Sequence, residues 1–419
     1  MIIIAGGGIA GLSMALTCHQ LGLQCRVYES AEALRPLGVG INLQPNAVRE
    51  LYELGLADTL AEIGIEAEEW ALFTKDAQLV WSEPRGALAG YRWPQFSVHR
   101  GHLQMALYRE VIKRLGSECI KTDARLVSYQ NDGERIIACF VRSSGQTFTS
   151  SGDLLVGADG IHSAIRAQMH PHEGAPLWRG TIMWRGTTQA RAPRTNNSFI
   201  LIGTLDHRFV CYPITKPDAA GLTTLNWIAE ITPEKRLEPA SSDWNREVAK
   251  EDVLPHFLAW QFPWIDVPNI ISGAQTVYEY PMVDRDPAPN WVDGRALLIG
   301  DAAHAMYPVG SNGASQAIVD TRLLGAQLQR HGETQTAVQQ FQDDVIEDLN
   351  ALVLRNRGNG PISILGVVEE RRQSPDQAIH DIISQQDVAA HMANYKQAAG
   401  FAKDALNAAP SILGEQSIL

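Results

Sequence analysis

Two glycine-rich turns carry the residues of this sequence best suited to chemistry. The first, "GGGIAG", sets Gly6, Gly8 and Gly11 in a G-x-G-x-x-G spacing, and Glu29 follows 18 residues after Gly11. In such a turn the first glycine permits a tight bend. The second lets the backbone approach a pyrophosphate, and the third lets the following helix pack close. That helix then offers free N–H groups and the positive end of its dipole to the anion. An acid about 20 residues further on accepts hydrogen bonds from a ribose 2′-hydroxyl and disfavours a 2′-phosphate. Gly6, Gly8, Gly11 and Glu29 therefore predict a site for FAD or NAD rather than NADP. The second turn lies in "GDAAHAMYPVGSNGASQAIVD", Gly300 to Asp320, where an acid follows a glycine directly and Gly310 and Gly313 come close behind. Two such turns, with Gly11 and Gly300 289 positions apart, need an object that both can touch.

Other chemistries find little support. The twelve histidines show no HExxH or other metal spacing, and no Ser-His-Asp or Cys-His arrangement stands out. Cys18, Cys25, Cys119, Cys139 and Cys211 are scattered and odd in number, against a disulfide framework or zinc site and for a reducing compartment. A net charge of -12 argues against a nucleic-acid partner, which wants a basic face. The N-terminus is apolar but lacks a basic leader region, and no window approaches the ~20 apolar residues of a membrane span. The expectation is a cytoplasmic protein, monomer or homodimer, without membrane or nucleic-acid partners.

The surrounding elements must position the two turns. "MIIIA" reads as a buried parallel strand, the run to Gly22 as a helix with a glycine C-cap, and "LQCRVYES" as a second strand. Together they make one βαβ unit. "HRGHLQMALYREVIKRLG" reads as a helix with Leu103, Ala106, Leu107, Val111 and Leu115 on one face. From Gly64 to Gln95 and from about Leu177 to Pro281 the chain alternates, with aromatic and turn residues, as antiparallel strands do. "RALLIGDAAHAMYP" returns to strand-then-turn, and the remainder is mostly helical with a break at "NRGNGP". The expected division is 1–63, 96–176 and 282–330 for a discontinuous first domain, 64–95 and 177–281 for a second, and 331–419 for C-terminal helices.

With "GADGIHSAIR" (Gly157 to Arg166) between the two turns, the order and spacing of all three motifs resemble the class A FAD-dependent aromatic monooxygenases. Longer runs, among them "WSEPRG", "MWRG" and "YPMVDRDP", resemble a phenazine-hydroxylating branch of that family; the likeness covers roughly residues 1 to 320. The resemblance implies an α/β fold: a Rossmann-type FAD-binding domain, an inserted antiparallel-sheet substrate domain and C-terminal helices. It implies FAD as cofactor, NADH or NADPH as transient co-substrate, and O2. Hydroxylation of a planar aromatic or N-heteroaromatic substrate would run through a flavin C4a-hydroperoxide, with or without decarboxylation. Gly6, Gly8, Ala10, Gly11, Glu29 and Ser30 would take the adenosine and pyrophosphate. Gly40 and Arg100, with Gly38, would lie along the cofactor. Asp301, Gly310, Asn312, Gly313 and Ala314 would hold the ribityl and ring end, where a helix N-terminus can stabilise the negative charge of reduced flavin. Asp159 is expected to organise its loop and Arg166. No catalytic side chain is expected with certainty; His304, Pro308 and Tyr212 are the candidates, and Trp184, Arg185, Tyr212 and Met306 are the substrate candidates. The competing expectations are a flavin oxidase or reductase on the same fold and a non-catalytic flavin-binding protein.

Overall fold

The β-branched N-terminal run forms the strand Ile2–Ala5, whose four residues are all buried. In this computed structural model, which describes residues 1–36, 38–233 and 246–414, that strand sits inside a six-stranded sheet. Across the sheet run Val292–Asp293, Ala296–Leu298, Leu154–Gly157, Ile2–Ala5, Cys25–Tyr28 and Ile120–Lys121. All neighbours are parallel except the first pair. Ile4 pairs with Val156 on one side and Val27 on the other. A strand flanked on both sides and buried on both faces has no use for alternation, which is why the run reads as continuous Ile. The helices Ile9–Gln20 and Arg100–Leu115 pack on this sheet, the latter burying Leu103, Ala106, Leu107 and Val111. Leu115, expected on the same face, is only partly buried.

The second large sheet has eight strands. Their order is Arg246–Val248, Val277–Asp284, Leu177–Ala190, Thr223–Ile231, His207–Pro213, Ser198–Gly203, Glu69–Phe73 and Leu79–Pro84. It is antiparallel apart from Ser198–Gly203, which runs parallel to Glu69–Phe73. That one parallel pair joins segments more than a hundred residues apart, a connection no hairpin can make. Residues 234–245, inside the stretch expected to be antiparallel, and 415–419, inside the expected C-terminal helices, lie outside the described residues. One face of this sheet packs on Phe257, Trp260 and Ile271. The other meets the C-terminal elements through Ile362, Leu365, Val388 and Met392. No described helix is long and apolar enough to cross a membrane.

Candidate active site between the two glycine turns

The two turns abut. A Cβ built on Gly300 would lie 3.2 Å from the Cβ of Ala10 and 3.2 Å from that of Ala317. The first turn is closely packed. Gly6 has φ +107°, and a Cβ there would stand 2.3 Å from the Ala158 carbonyl; one on Gly11 would stand 1.9 Å from the Gly6 carbonyl. Gly8 is different: a Cβ there would meet nothing within 4 Å. Gly6 and Gly11 are thus fixed by close packing inside the protein, whereas the Gly8 backbone faces open space. The Glu29 carboxylate accepts hydrogen bonds from the Gly7 N–H at 2.7 Å, the Ala31 N–H at 2.8 Å and the Ser30 hydroxyl at 3.0 Å. Two carboxylate oxygens offer about four acceptor sites, so Glu29 holds its own loop and keeps capacity for a ligand. Gln104 donates to the Gly7 carbonyl at 2.9 Å, bracing the turn from the Arg100–Leu115 helix.

The second turn is held from far away. Gly300 has φ +57°, and Asp301 begins the short helix Asp301–His304. Asp320, fully buried, accepts from the Gly300 N–H at 2.8 Å and bonds His304 Nε2 at 2.7 Å. Burial alone would push the His304 imidazole down, but the Asp320 charge and hydrogen bond outweigh it and raise its pKa. Arg166 donates to the carbonyls of Ala302 at 3.2 Å and Ala303 at 2.5 Å and is itself paired with Glu173. Asp159 accepts from the Ala164 N–H at 2.9 Å, and burial raises its pKa. Around Gly310 the C-terminal region takes over. The Tyr395 hydroxyl lies 2.5 Å from Asn312 Nδ2 and 2.7 Å from Asn356 Oδ1. A Cβ on Gly310, which has φ +86°, would come within 2.0 Å of that hydroxyl. Gln44 adds a bond to the Gly310 carbonyl at 3.1 Å.

Both turns open on one cavity of about 930 Å³. Its walls include Gly6, Gly8, Ala10, Glu29, Ser30, Gly40, Arg100, Asp301, Gly310, Gly313 and Ala314 from the cofactor set, and Arg185, Tyr212, Met306 and Pro308 from the substrate and catalytic set. The helices Ile9–Gln20 and Gly313–His331 both start at this cavity, and neither has a side-chain N-cap bond. Uncapped N–H groups at two helix starts must be satisfied by water or by a ligand. Two such starts, an open backbone at Gly8 and a carboxylate beside each turn form a donor set that suits FAD, with its pyrophosphate, sugar hydroxyls and electron-rich ring edge.

Five expected residues stand elsewhere, among them Gly38, which lies off the wall against the Arg100 side chain. Gly11 and Asn312 lie behind the wall, where close packing and the Tyr395 bond employ them. His304 is buried against Asp320 and Trp291, so it lies behind the cavity wall rather than at the site. Trp184 is a correction of a second kind. Successive strand residues point to opposite faces, so with Arg185 on the cavity Trp184 faces away. Its ring stacks on His256 at 5.3 Å and its N–H donates to Glu279 at 3.0 Å.

A family model described as an FAD binding domain matches residues 1–343. The chain belongs to that family. It is 40% identical to the phenazine 1,6-dicarboxylic acid hydroxylase of Lysobacter antibioticus over 366 residues, covering 85% of this chain and 89% of the other. It is 29% identical to the salicylate hydroxylase of Pseudomonas putida, covering 79% of this chain and 77% of the other. Among solved structures, the HpxO protein of Klebsiella pneumoniae complexed with FAD and uric acid superposes with a TM-score of 0.72 at 21% identity, covering 97% of this chain and 96% of that one. The protein is an FAD-dependent aromatic monooxygenase, and its family typically takes reducing equivalents from NAD(P)H. In this monooxygenase, Tyr395 and Asn356 lie beyond the reach of the family model, which ends at residue 343.

Proposed function

We propose that this monooxygenase hydroxylates a planar aromatic or N-heteroaromatic compound of phenazine size, bound beside Arg185, Tyr212, Met306 and Pro308. The observation that carries the reading is a chamber within the same cavity as both turns, walled by Tyr212, Phe199, Leu201, Val210, Met306 and Ile362. Tyr212 and Phe199 stack at 4.9 Å with 17° between their planes, a flat surface suited to a flat ligand. The phenazine acid named for the Lysobacter relative is of that shape.

FAD, when bound, carries the hydride and oxygen chemistry; the protein supplies position, dryness and charge. On this reading Gly6, Gly8, Ala10, Glu29 and Ser30 take the adenosine end, and Gly40 and Arg100 lie along the middle. Asp301, Gly310, Gly313 and Ala314 take the ring end, with the Gly313–His331 helix dipole favouring negative charge there. Arg185 donates to the Gly40 carbonyl at 2.9 Å, and burial lowers its pKa. It stands near both cofactor and substrate and can hold an oxyanion. Burial raises the Tyr212 phenol, so it acts as a neutral hydrogen-bonding group. Residues 64–95 and 177–281 would form the substrate part, inserted between segments of the FAD-binding part. The five free cysteines suit a reducing cytoplasm.

The test is turnover under ¹⁸O2 with NADH or NADPH across phenazine, salicylate, quinolone and nicotinate-type aromatics, with products weighed by mass spectrometry. The expected product carries one ¹⁸O atom, and its mass reads whether CO2 leaves. Peroxide formation without labelled product across the panel would contradict the proposal and favour an oxidase.

A further inference from the structure

Beyond Tyr212 and Phe199 the aromatic wall continues. Phe199 is the register partner of Trp70 in the parallel pair of strands, so both side chains project from the same face. The guanidinium of Arg85 lies over the Trp70 ring, 4.8 Å from its centroid. The ledge Tyr212–Phe199–Trp70 therefore has an arginine at each end: Arg185 beside Tyr212 and Arg85 on Trp70.

Arg85 is not alone. Glu83 Oε1 lies 3.1 Å from Arg85 Nη2, and Glu83 Oε2 lies 2.8 Å from Lys396 Nζ. All three groups line the cavity, and their side chains are 12%, 10% and 20% exposed for Arg85, Glu83 and Lys396. Two cations face one carboxylate, which leaves one positive charge in excess. Arg85 Nε is buried with no hydrogen-bond partner. Burial works against the Glu83 carboxylate, but Arg85 and Lys396 hold it below the usual range; burial and then Arg85 lower Lys396. The fold keeps this cluster in place. Gly86, with φ +52°, makes a turn in which a Cβ would strike the Gln95 N at 2.5 Å, and the Arg85 N–H donates to the Glu68 carbonyl at 2.8 Å.

We propose that Arg85 and Lys396, set by Glu83, form an anion subsite that receives a carboxylate on the aromatic substrate while its rings lie along the Tyr212–Phe199–Trp70 ledge. This rests on the hydroxylase reading above and adds its substrate class, an aromatic acid. Arg85 directly follows the edge strand Leu79–Pro84 of the eight-stranded sheet and Lys396 lies in the helix Gln385–Ala398, so the subsite closes only when the C-terminal region is in place. A guanidinium and an adjacent ammonium that share a single carboxylate suit a second, planar carboxylate. The phosphates of a nicotinamide dinucleotide share that chemistry; the ledge of flat rings leading to the cluster favours the substrate.

The test uses FAD-loaded enzyme titrated with phenazine-1-carboxylate and its neutral carboxamide, read by perturbation of the flavin absorbance and then by NADH oxidation. Wild type should bind the acid more tightly than the amide. Arg85→Met should weaken the acid about tenfold or more, as expected for losing a charged hydrogen bond, and leave the amide within about twofold. Lys396→Met should act in the same direction from the other element. Glu83→Gln removes the opposing charge and should strengthen acid binding, a gain that misfolding cannot imitate. Equal loss of acid and amide, no acid preference in wild type, or a raised KM for NADH with unchanged acid binding would overturn the subsite. Tighter binding of the acid without hydroxylation of either compound would overturn the hydroxylase reading and leave the subsite standing.

Discussion

The two glycine turns reach the same cavity by opposite means. The first is built largely within one βαβ unit: Gly11 and Glu29 secure it over fewer than thirty residues, with the Ala158 backbone packed on Gly6 and Gln104 as a brace. The second is short of local support. Besides Asp320, which closes the same run, its backbone is pinned by Arg166, Gln44 and Tyr395, which come from three separate parts of the chain. A local turn resists change piecemeal, because Gly6 and Gly11 are individually irreplaceable. A turn held at a distance depends on buried polar bonds, whose loss leaves orphaned partners.

The largest break is expected at Gly6→Ala. The left-handed backbone and the Ala158 carbonyl at 2.3 Å leave no place for a methyl, so no FAD-loaded protein should be recovered; normal flavin absorbance after purification would count against the account. Next is Asp320→Ala, which strands His304 and the Gly300 N–H in the core. Breaking one side of a buried pair costs about 3 kcal/mol, readable by chemical denaturation. Because the His304 pKa is raised on folding, the stabilisation is full below the ordinary histidine value of about 6.5 and fades as pH rises through the raised value. The gap between wild type and variant should narrow with rising pH; a widening gap contradicts the assignment. Tyr395→Phe is milder. It leaves Asn312 and Asn356 short of partners, a cost of about 2 kcal/mol, and should shift the flavin absorbance while FAD content stays near normal. An unshifted spectrum would detach the C-terminal region from the turn. Smallest is Trp184→Phe, which should lose about 1 kcal/mol with its Glu279 bond and leave substrate KM within about twofold. A large KM change would restore Trp184 to the substrate wall.

The same contrast explains what could be read from the chain. Gly6, Gly8, Gly11 and Glu29 announce themselves because their spacing is set within one short segment, and the parallel sheet follows from runs such as "MIIIA" and "LLVG". Asp301 and Gly310 are legible as a turn, but Asp320 reads as one more helical residue and Tyr395 as a helical aromatic. Their roles exist only after the Gly313–His331 and Gln385–Ala398 helices pack. Trp184 and Arg185 were both drawn to the site because "MWRG" carries no sign of which residue faces in; the alternation of a strand admits only one of them. Arg85 and Lys396, 311 positions apart, share no local signal at all.

The central claim is that both turns hold one FAD, end to end. A crystal structure of the enzyme with FAD tests it most directly. The account predicts adenosine and pyrophosphate against Gly8 and Glu29, and the isoalloxazine ring at Gly310–Gly313 facing the Tyr212 chamber. A flavin ring that lies elsewhere, with no contact to Asp301 or to the start of the Gly313–His331 helix, would contradict it.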